Sequence, residues 1–357
     1  MNYLINHERF KKKYNYEKLN NFFYNKNRVV QYPQFSQNYY DFFNSYARHR
    51  YKLLKNKCLC GKKNDILLSQ TDRHCVDFTT VVCKSCGLIR AKKYFADEDV
   101  KDFYKNFYRK NTYHITTEQY REKTGQEFFN KQKKYQKFQY DLINEYKIKP
   151  INYLKIVDIG GGAGGVLDHF NNSNEKYLFD YYQPYLNYAK TKGIKVIKGG
   201  LDKIDFKPDI IILSHVIEHW SNFKYEIQKL IEIQKKYETL NYIEFPGVDS
   251  LKKGRREGDI LGDIQVPHVY YFTSYVFENL MNRYGFEKIY LDTLIKSIFI
   301  YTGKKKKLIN YFELCHNDLI SAEKARRIQI FKNLIKLFIP RFVLKLIRKA
   351  MNKKIQF

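Results

Sequence analysis

The chain has 357 residues and a formal net charge of +28, with 44% hydrophobic and 17% aromatic residues. It is long enough for one large or two modest domains with a sizeable core. It contains no run of about 18 apolar residues, so we do not expect a membrane-spanning helix. The excess of basic residues favours anionic partners such as nucleic acid, acidic lipid or a phosphorylated substrate, although dispersed, solvated lysines are the simpler interpretation.

The first ten residues lack the apolar stretch of a signal peptide, which predicts a cytoplasmic location. Of the six cysteines, all except Cys315 lie between positions 58 and 86. Clustered cysteines in a reducing compartment bind metal more often than they form disulfides. The sequence therefore predicts a small metal-binding module in this region.

Composition and periodicity divide the chain into five segments. Short strands are predicted at Ile66–Gln70 and Phe78–Val82, beside the cysteines, and a polar helical stretch is predicted from Asp97 to Lys147. The predicted segments are a basic, aromatic N-terminal segment (1–56), a metal-binding module (57–95), a helical connector (96–150), a catalytic domain (151–303) and a basic helical tail (304–357).

The segment 151–303 alternates short apolar runs with helical patterns. The predicted strands are Leu154–Ile159, Lys176–Asp180, Lys195–Lys198, Asp209–Ser214, Leu240–Phe245, Phe286–Asp292 and Ser297–Thr302, and the predicted helices are Val166–Asn171, Pro184–Lys192, Tyr225–Tyr237 and Phe272–Tyr284. Such alternation predicts an α/β fold with a parallel sheet covered by helices on both faces. The two closely spaced late strands predict an antiparallel hairpin at its edge.

A glycine-rich loop, Gly160–Gly165, follows the first of these strands and opens a helix. Glycine lets a backbone turn sharply and approach a ligand closely. The stretch fits both the dinucleotide pattern G-x-G-x-x-G and the methyltransferase pattern D-x-G-x-G-x-G, which begins at Asp158. Two further features favour the second pattern: Asp180 ends the next strand, where its carboxylate can accept hydrogen bonds from ribose hydroxyls, and Ser214–Trp220 reads SHVIEHW after the fourth strand.

With these motifs in order, residues 151–303 resemble class I methyltransferases of the group that carries HVLEH after strand four. Asp180–Gly193, Ile243–Gly247 and Val266–Phe286 are similar to that group's second strand with its helix, its fifth strand and its substrate-side segment. The resemblance implies a Rossmann-like seven-stranded methyltransferase sheet and S-adenosylmethionine as cofactor. The candidate cofactor contacts are Asp158, Gly160, Gly162, Gly164, Asp180, Tyr181, Leu201, Asp202, Ser214 and His215.

The cysteines form two pairs, Cys58 with Cys60 and Cys83 with Cys86, each followed by glycine. Four thiolates at such spacing predict one tetrahedral, structural Zn²⁺, with His74 and Cys75 as spare ligands. The segment resembles the zinc-binding N-terminal module of bacterial sugar C-methyltransferases and related surface-glycan enzymes. In that family the module helps to cover the substrate pocket, which implies such a role for Tyr104 and Tyr108.

Methyl transfer from a sulfonium needs alignment and, for many acceptors, a base. His268 is the first candidate base, because it matches the histidine of the base cluster in the family's substrate-side segment. His215 and Glu218, after strand four, are the other catalytic candidates, and His219 is similarly placed. These residues are compatible with transfer of the methyl group to an oxygen, a nitrogen or a carbon atom.

Three functions fit the sequence. The first is methylation of a small molecule, a sugar or sugar-linked group in surface-polysaccharide biosynthesis. The acceptor could be nucleotide- or lipid-linked, and its phosphate could be bound by basic residues of the loop 249–263, namely Lys252, Lys253, Arg255 and Arg256. The second is RNA methylation, which suits basic charge and a zinc module, but nucleic acid is not the expected partner because no NPPY-like sequence follows strand four. The third is a non-catalytic cofactor-binding scaffold.

The tail from Arg326 to Lys354 interleaves apolar and basic residues at helical spacing. We expect two short helices separated by Pro340. A basic amphipathic helix can lie in a membrane interface, which predicts peripheral contact with the inner face of the cytoplasmic membrane. Packing of the same helices on the catalytic domain or on a second subunit is the alternative.

Overall fold

The computed structural model describes residues 41, 43–74, 76–103 and 118–338. Tyr104, Tyr108, Cys75 and Pro340 lie outside the described residues, as does most of the N-terminal segment, so the expectations for them stay predictions. Within these ranges no helix has the length and hydropathy needed to cross a membrane.

The described ranges contain strands, α-helices and several short turns of 3₁₀ helix. The strands are β1 (Leu53–Lys55), β2 (Asp65–Thr71), β3 (Asp77–Cys83), β4 (Ile89–Ala91), β5 (Lys93–Phe95), β6 (Lys155–Ile159), β7 (Glu175–Asp180), β8 (Lys195–Lys198), β9 (Ile210–Ser214), β10 (Leu240–Glu244), β11 (Tyr270–Tyr271), β12 (Phe286–Leu291) and β13 (Lys296–Tyr301). The α-helices are α1 (Arg48–Arg50), α2 (Asp97–Asp102), α3 (Glu118–Tyr135), α4 (Lys137–Glu145), α5 (Gln183–Lys190), α6 (Phe223–Glu232), α7 (Ser274–Arg283) and α8 (Phe312–Phe338). A π-helical turn spans Phe43–Ala47, and 3₁₀ turns span Gly165–His169, Leu201–Lys203, Ile217–His219, Val248–Lys253, Arg255–Gly258 and Ile260–Gly262.

The largest sheet has seven strands in the order β12-β13-β10-β9-β6-β7-β8. The five strands from β10 to β8 are parallel, and β13 and β12 add an antiparallel edge. This confirms the predicted α/β fold, its mostly parallel sheet and its hairpin edge. The strand order reverses at β6, and in open α/β sheets ligands bind beside the carboxyl ends of the strands at such a point.

Both faces of this sheet are apolar, as a parallel strand covered by helices requires. In β9, Ile211 and Leu213 point into one hydrophobic core, while Ile210 and Ile212 point into a second core on the opposite face. All four side chains are buried. Alternation of side chains along a strand thus explains why this run carries isoleucine and leucine at every position.

The cysteine-bearing segment forms a separate antiparallel sheet in the order β11-β4-β3-β2, and β1 pairs with β5. The predicted strands beside the cysteines are confirmed as β2 and β3. Strand β11 comes from the segment that follows β10 and contributes Tyr270 and Tyr271 opposite Arg90 and Ile89. The two sheets are therefore connected through backbone hydrogen bonds as well as through a shared hydrophobic core.

Three predicted helices differ from the structure. The segment after the glycine loop is one 3₁₀ turn, Gly165–His169, because Phe170 becomes extended and is buried against Tyr140 before β7 begins. The connector is divided by Gln136, whose φ of −108° and ψ of 10° separate α3 from α4.

The tail is also different, because α8 begins at Phe312 and runs unbroken to Phe338. The first tail helix is therefore longer than predicted, but it ends two residues before Pro340, and the second predicted helix lies outside the described residues. Cys315, Leu319 and Ala322 are buried on one face of α8, and Lys252 donates a hydrogen bond to Asp318 at 2.6 Å. This part of α8 packs on the catalytic domain.

Candidate active site

The glycine loop adopts the sharp turn that its sequence predicts. Gly160, Gly162 and Gly164 have φ values of 62°, 62° and 76°, a region that other residues rarely enter. At Gly162 space is also limiting, because a Cβ atom there would lie 2.7 Å from the ring of Phe128. The three glycines therefore hold the loop close to the end of β6.

Two carboxylates lie beneath this loop. Asp180 accepts hydrogen bonds from the backbone N–H of Gly162 at 3.0 Å and of Tyr182 at 2.8 Å. Asp158 is 2% exposed, and burial, followed by the negative charge of Asp180, raises its pKa well above the usual range. A ligand with a cationic group would relieve this concentration of negative charge.

Helix α3 supplies a residue that the sequence did not single out. Gln132 donates a hydrogen bond to the carbonyl oxygen of Gly161 at 2.9 Å and accepts one from the N–H of Ala163 at 3.0 Å. A lone glutamine in a polar helix carries no signal for this role. The connector helix thus holds the glycine loop in place.

The candidates for adenosine contact come together beyond β7 and β8. Tyr181 follows β7 and is 62% exposed, Leu201 is buried, and the Asp202 side chain is half-exposed. The hydroxyl of Tyr181 lies 3.3 Å from the position that a Cβ atom on Gly200 would occupy. Tyr181 and Asp202 therefore lie close together around Gly200, and their role in cofactor binding stays a prediction.

A second hydrogen-bond network lies at the carboxyl ends of β9 and β10. Gln139 on α4 donates to Ser214 Oγ at 3.0 Å and to Glu244 Oε2 at 2.8 Å, and Tyr242 donates to the same carboxylate oxygen at 2.9 Å. Ser214 was a predicted contact, whereas Gln139 and Glu244 were not. Both connector helices therefore contact the cofactor end of the sheet.

His215 has an uncommon backbone conformation, with φ of 56°. Its N–H donates to the carbonyl oxygen of Glu244 at 2.7 Å, and its half-exposed imidazole lies with Nδ1 3.3 Å from Glu218 Oε1. Non-glycine residues in this region often occur at functional sites. Glu218 itself is 1% exposed.

His219 and His268 complete a cluster with Glu218. Their rings are edge-on with centroids 4.7 Å apart, and His219 Nε2 lies 3.7 Å from Glu218 Oε1. Burial, then the positive charges of neighbouring His219 and Arg73, hold the pKa of His268 well below its usual value, so its imidazole is neutral at pH 7. The structure therefore brings all the catalytic candidates together.

The four cysteines of the two predicted pairs also converge. Cys58 Sγ lies 3.5 Å from Cys86 Sγ and 3.4 Å from Cys60 Sγ, and Cys60 Sγ lies 3.7 Å from Cys83 Sγ. A tetrahedral zinc–thiolate site with bonds of about 2.3 Å would separate its sulfurs by roughly 3.8 Å. The geometry fits such a group. His74 lies apart from this cluster and is hydrogen-bonded by Arg73.

The cysteine-bearing sheet holds the loop that carries His268. Besides the pairing of β4 with β11, Ala91 donates from its N–H to the carbonyl oxygen of Val269 at 2.9 Å. The hydroxyl of Tyr94 and Nδ1 of His219 both hydrogen-bond to the carbonyl oxygen of Pro267, at 3.1 and 2.8 Å. The position of His268 thus depends on this sheet.

A cavity of about 660 Å³ lies between the cysteine-bearing module and the catalytic domain. Aromatic rings and amides line it together with basic side chains, among them Asn56, Tyr94, Asn222, Tyr270 and Arg283. Tyr94 and Tyr270 flank the His268 loop. This combination of rings, amides and cations suits a polar, partly anionic ligand.

The basic loop after β10 does not present free cations as the sequence suggested. Arg255 and Arg256 both contact Asp263, and Lys252 is paired with Asp318 of α8. Lys253 donates to Thr293 Oγ1 at 3.2 Å. These four side chains fasten the loop and α8 to the domain, so a phosphate clamp here would have to break existing ion pairs.

The sheet order, with a glycine loop at its switch point and an acid at the end of β7, defines a class I methyltransferase fold. A family model described as a methyltransferase domain matches residues 113–291, half of the chain, and the chain belongs to this family. It is accordingly an S-adenosylmethionine-dependent methyltransferase. The matched region begins within the segment 96–150, which we interpreted as a connector. This agrees with the hydrogen bonds from α3 to the glycine loop and from α4 to the ends of β9 and β10.

Solved structures similar to this chain are also methyltransferases or related proteins of low sequence identity. A methyltransferase from Aquifex aeolicus that depends on S-adenosylmethionine is 15% identical, with a TM-score of 0.36, and the match covers 49% of this chain and 96% of that one. The YcgJ protein from Bacillus subtilis is 16% identical, with a TM-score of 0.33, and the match covers 43% of this chain and 70% of that one. No curated protein sequence matches the chain.

Proposed function

We propose that this enzyme methylates a small molecule, a sugar or sugar-linked group in bacterial surface-polysaccharide biosynthesis. The observation that carries the proposal is the junction of β4 with β11, which places a cysteine-bearing module like that of sugar methyltransferases against the His268 loop. The adjoining cavity would hold the distal part of the acceptor, with Asn222 as a hydrogen-bond partner and Arg283 near an anionic group.

The cofactor would bind across the carboxyl ends of β6, β7 and β9. Asp158 would face the methionine ammonium, and Asp180 would accept hydrogen bonds from the ribose while it keeps those from Gly162 and Tyr182. Tyr181, Leu201 and Asp202 would border the adenine, and Gly160, Gly164, Ser214 and His215 would complete the pocket. This arrangement gives the cationic cofactor two buried carboxyl groups, and its positive charge would favour the ionised form of Asp158.

The four clustered thiols would bind one structural Zn²⁺. Their sulfur spacing supports tetrahedral coordination, and a site with four protein ligands keeps no position open for catalysis. Zinc would therefore act by fixing the β2–β4 sheet, and through it the loop that carries His268.

S-adenosylmethionine, when bound, supplies a methyl group attached to a positively charged sulfur. The chain's own task is to align the acceptor in line with that group and to receive its proton. Neutral His268 is our candidate base, and His215, held by Glu218, is the second. Glu218 would orient the imidazoles and balance the charge that they gain.

We infer small molecules rather than nucleic acid as partners, because the SHVIEHW sequence is of the small-molecule type. Methyl-labelled cofactor should transfer label to nucleotide-linked or lipid-linked glycan precursors and leave bulk RNA unlabelled. Label in RNA, with salt-sensitive retention of RNA by the protein, would instead support the nucleic-acid function.

The end of the tail beyond the packed part of α8 would provide peripheral contact with acidic membrane lipids from the cytoplasmic side. Ile328 and Phe331 are 55% and 63% exposed and are followed by basic residues. Lipid-linked glycan precursors lie at such a surface, so contact there would raise the local acceptor concentration.

A further inference from the structure

Three side chains near the acceptor side of the site offer metal-ligand atoms to a common point. These are Glu218, His219 and His268, whose candidate ligand atoms all lie within 4.8 Å of one another. Bonds of about 2.0–2.2 Å from nitrogen and oxygen to one ion would bring such atoms to roughly 3–4 Å apart. Small movements of side chains would therefore suffice to close the cluster around a cation.

Two hydrogen-bond acceptors face each other in this cluster. His219 Nδ1 lies 2.8 Å from the carbonyl oxygen of Pro267, which can only accept, so Nδ1 carries the proton and Nε2 keeps its lone pair. That lone pair lies 3.7 Å from Glu218 Oε1. A carboxylate oxygen and an imidazole nitrogen placed in this way can both serve as ligands of one cation.

Glu218 provides an independent indication. Its residue is 1% exposed, and its Oε2 atom has no hydrogen-bond partner among the residues that the structure describes. A buried carboxylate oxygen without a partner costs considerable free energy unless a proton, a water molecule or an ion satisfies it. An ion that satisfies it must be positive, since the oxygen is an acceptor.

Neighbouring groups hydrogen-bond to the two histidines, as residues around a metal site do with histidines that bind the metal. The carbonyl oxygen of Pro267, itself bound by the Tyr94 hydroxyl at 3.1 Å, orients His219. The side-chain amide of Gln265 lies against Nε2 of His268, and its oxygen has no hydrogen-bond partner among the described residues as placed. With the amide turned so that this oxygen accepts from Nε2–H, Nδ1 of His268 keeps its lone pair for a metal ion. Such supporting hydrogen bonds fix the ring orientation of ligating histidines.

From this geometry we propose that Glu218, His219 and His268 bind one divalent transition-metal cation at the acceptor side of the methyltransferase site. Two imidazoles and one carboxylate suit Mn²⁺, Fe²⁺, Co²⁺ or Zn²⁺ and leave coordination positions open for acceptor oxygens. The proposal rests on the proposed function and narrows it, because a metal ion at this position would favour acceptors with hydroxyl groups.

The reaction balances without any further reactant. With His268 held as a ligand, the base would be His215, the second candidate, whose imidazole is 53% exposed beside Glu218. The cation would make a bound hydroxyl group more acidic, and that group would give its proton to His215. The oxygen forms a bond to the methyl carbon while the carbon–sulfur bond breaks, and that electron pair stays on sulfur. The products are a methyl ether, S-adenosylhomocysteine and one proton on His215.

Binding of Mn²⁺ to the full-length protein tests the proposal, followed as the loss of the free-Mn²⁺ paramagnetic resonance signal. Mn²⁺ is chosen because thiolates bind it poorly, so the cysteine cluster does not interfere. We expect about one bound Mn²⁺ per chain and at least a 10-fold weaker affinity in Glu218→Gln and in His268→Ala. His49→Ala, which changes an exposed histidine elsewhere, should bind as the wild type does.

Wild-type protein that binds no Mn²⁺ would overturn the proposal, and so would unchanged affinity in the two ligand variants. Affinity for S-adenosylhomocysteine, measured on the same samples, shows whether each variant is folded. If His268→Ala does not fold, the isosteric variant Glu218→Gln provides the test. Full-rate methyl transfer after chelation would overturn the metal's role and leave the proposed function standing. The expected binding pattern supports the site whichever acceptor is methylated.

Discussion

Gln132 and Ala163 are joined by a hydrogen bond of 3.0 Å from the backbone N–H of Ala163 to the side-chain oxygen of Gln132. The same amide donates to the carbonyl oxygen of Gly161 at 2.9 Å. One buried side chain of helix α3 thereby satisfies a donor and an acceptor of the glycine loop. The cofactor loop is therefore held by a segment that precedes the strand–helix alternation.

Gln132→Ala should weaken binding of S-adenosylmethionine. Loss of two buried hydrogen bonds to the loop should cost about 1–3 kcal/mol, which lowers the affinity by roughly 5- to 150-fold. Isothermal titration calorimetry gives the affinity. Gln126→Ala, on the exposed side of the same helix, is the matched control and should bind normally. Equal affinities for the two variants would refute a role for Gln132.

Purified protein should contain about one Zn²⁺ per chain, bound by Cys58, Cys60, Cys83 and Cys86. Cys83→Ser should remove the metal and lower thermal stability, because the β2–β4 sheet would lose its central constraint. Metal analysis and a melting curve measure both effects. Cys315→Ser, in α8 and away from the cluster, should retain the metal. Zinc retained by Cys83→Ser, or absent from the wild type, would contradict the assignment.

His268→Ala should lower the rate of methyl transfer by at least about 100-fold and leave cofactor affinity unchanged. The reason is its place in one cluster with Glu218 and His219, and it is not among the candidate cofactor contacts. Single-turnover rates and calorimetry separate the two quantities. A rate within a few-fold of the wild type would mean that alignment alone drives the reaction or that His215 is the base.

Truncation after Arg327 should abolish binding to anionic liposomes in low salt. This cut keeps the ion pair of Arg326 with Glu323 and the buried face of α8, so the remaining protein should stay folded. Flotation measures how much protein travels with the liposomes. Equal soluble recovery of the full-length and truncated chains would end the membrane proposal and favour packing of the tail on protein.

The residues that form the turn and the sheet could be predicted from the sequence because their signals are local. Gly160 and Gly162 stand in a fixed pattern after an apolar strand, and Asp180 ends the next strand. The sulfur cluster was predictable for the same reason. Short spacing in the sequence pairs Cys58 with Cys60 and Cys83 with Cys86.

Residues that act across long sequence distances could not be predicted. Gln132 and Gln139 lie in a polar helical stretch that offers no pattern to distinguish them from exposed glutamines. The two-residue strand β11 is too short to be recognised, yet it joins the cysteine-bearing sheet to the His268 loop. The cations of the loop after β10 suggested a phosphate clamp because Asp318, which pairs with Lys252, lies far along the chain.

The cofactor site is assigned to the loop after β6 and to Asp180 at the end of β7. Calorimetric titration of S-adenosylmethionine into the wild type and into Asp180→Ala tests it directly, with Asp205→Ala, an exposed acid, as the control. Loss of the ribose hydrogen bonds should cost about 2 kcal/mol or more, an affinity at least 30-fold weaker. Unchanged affinity in folded Asp180→Ala would contradict the assignment.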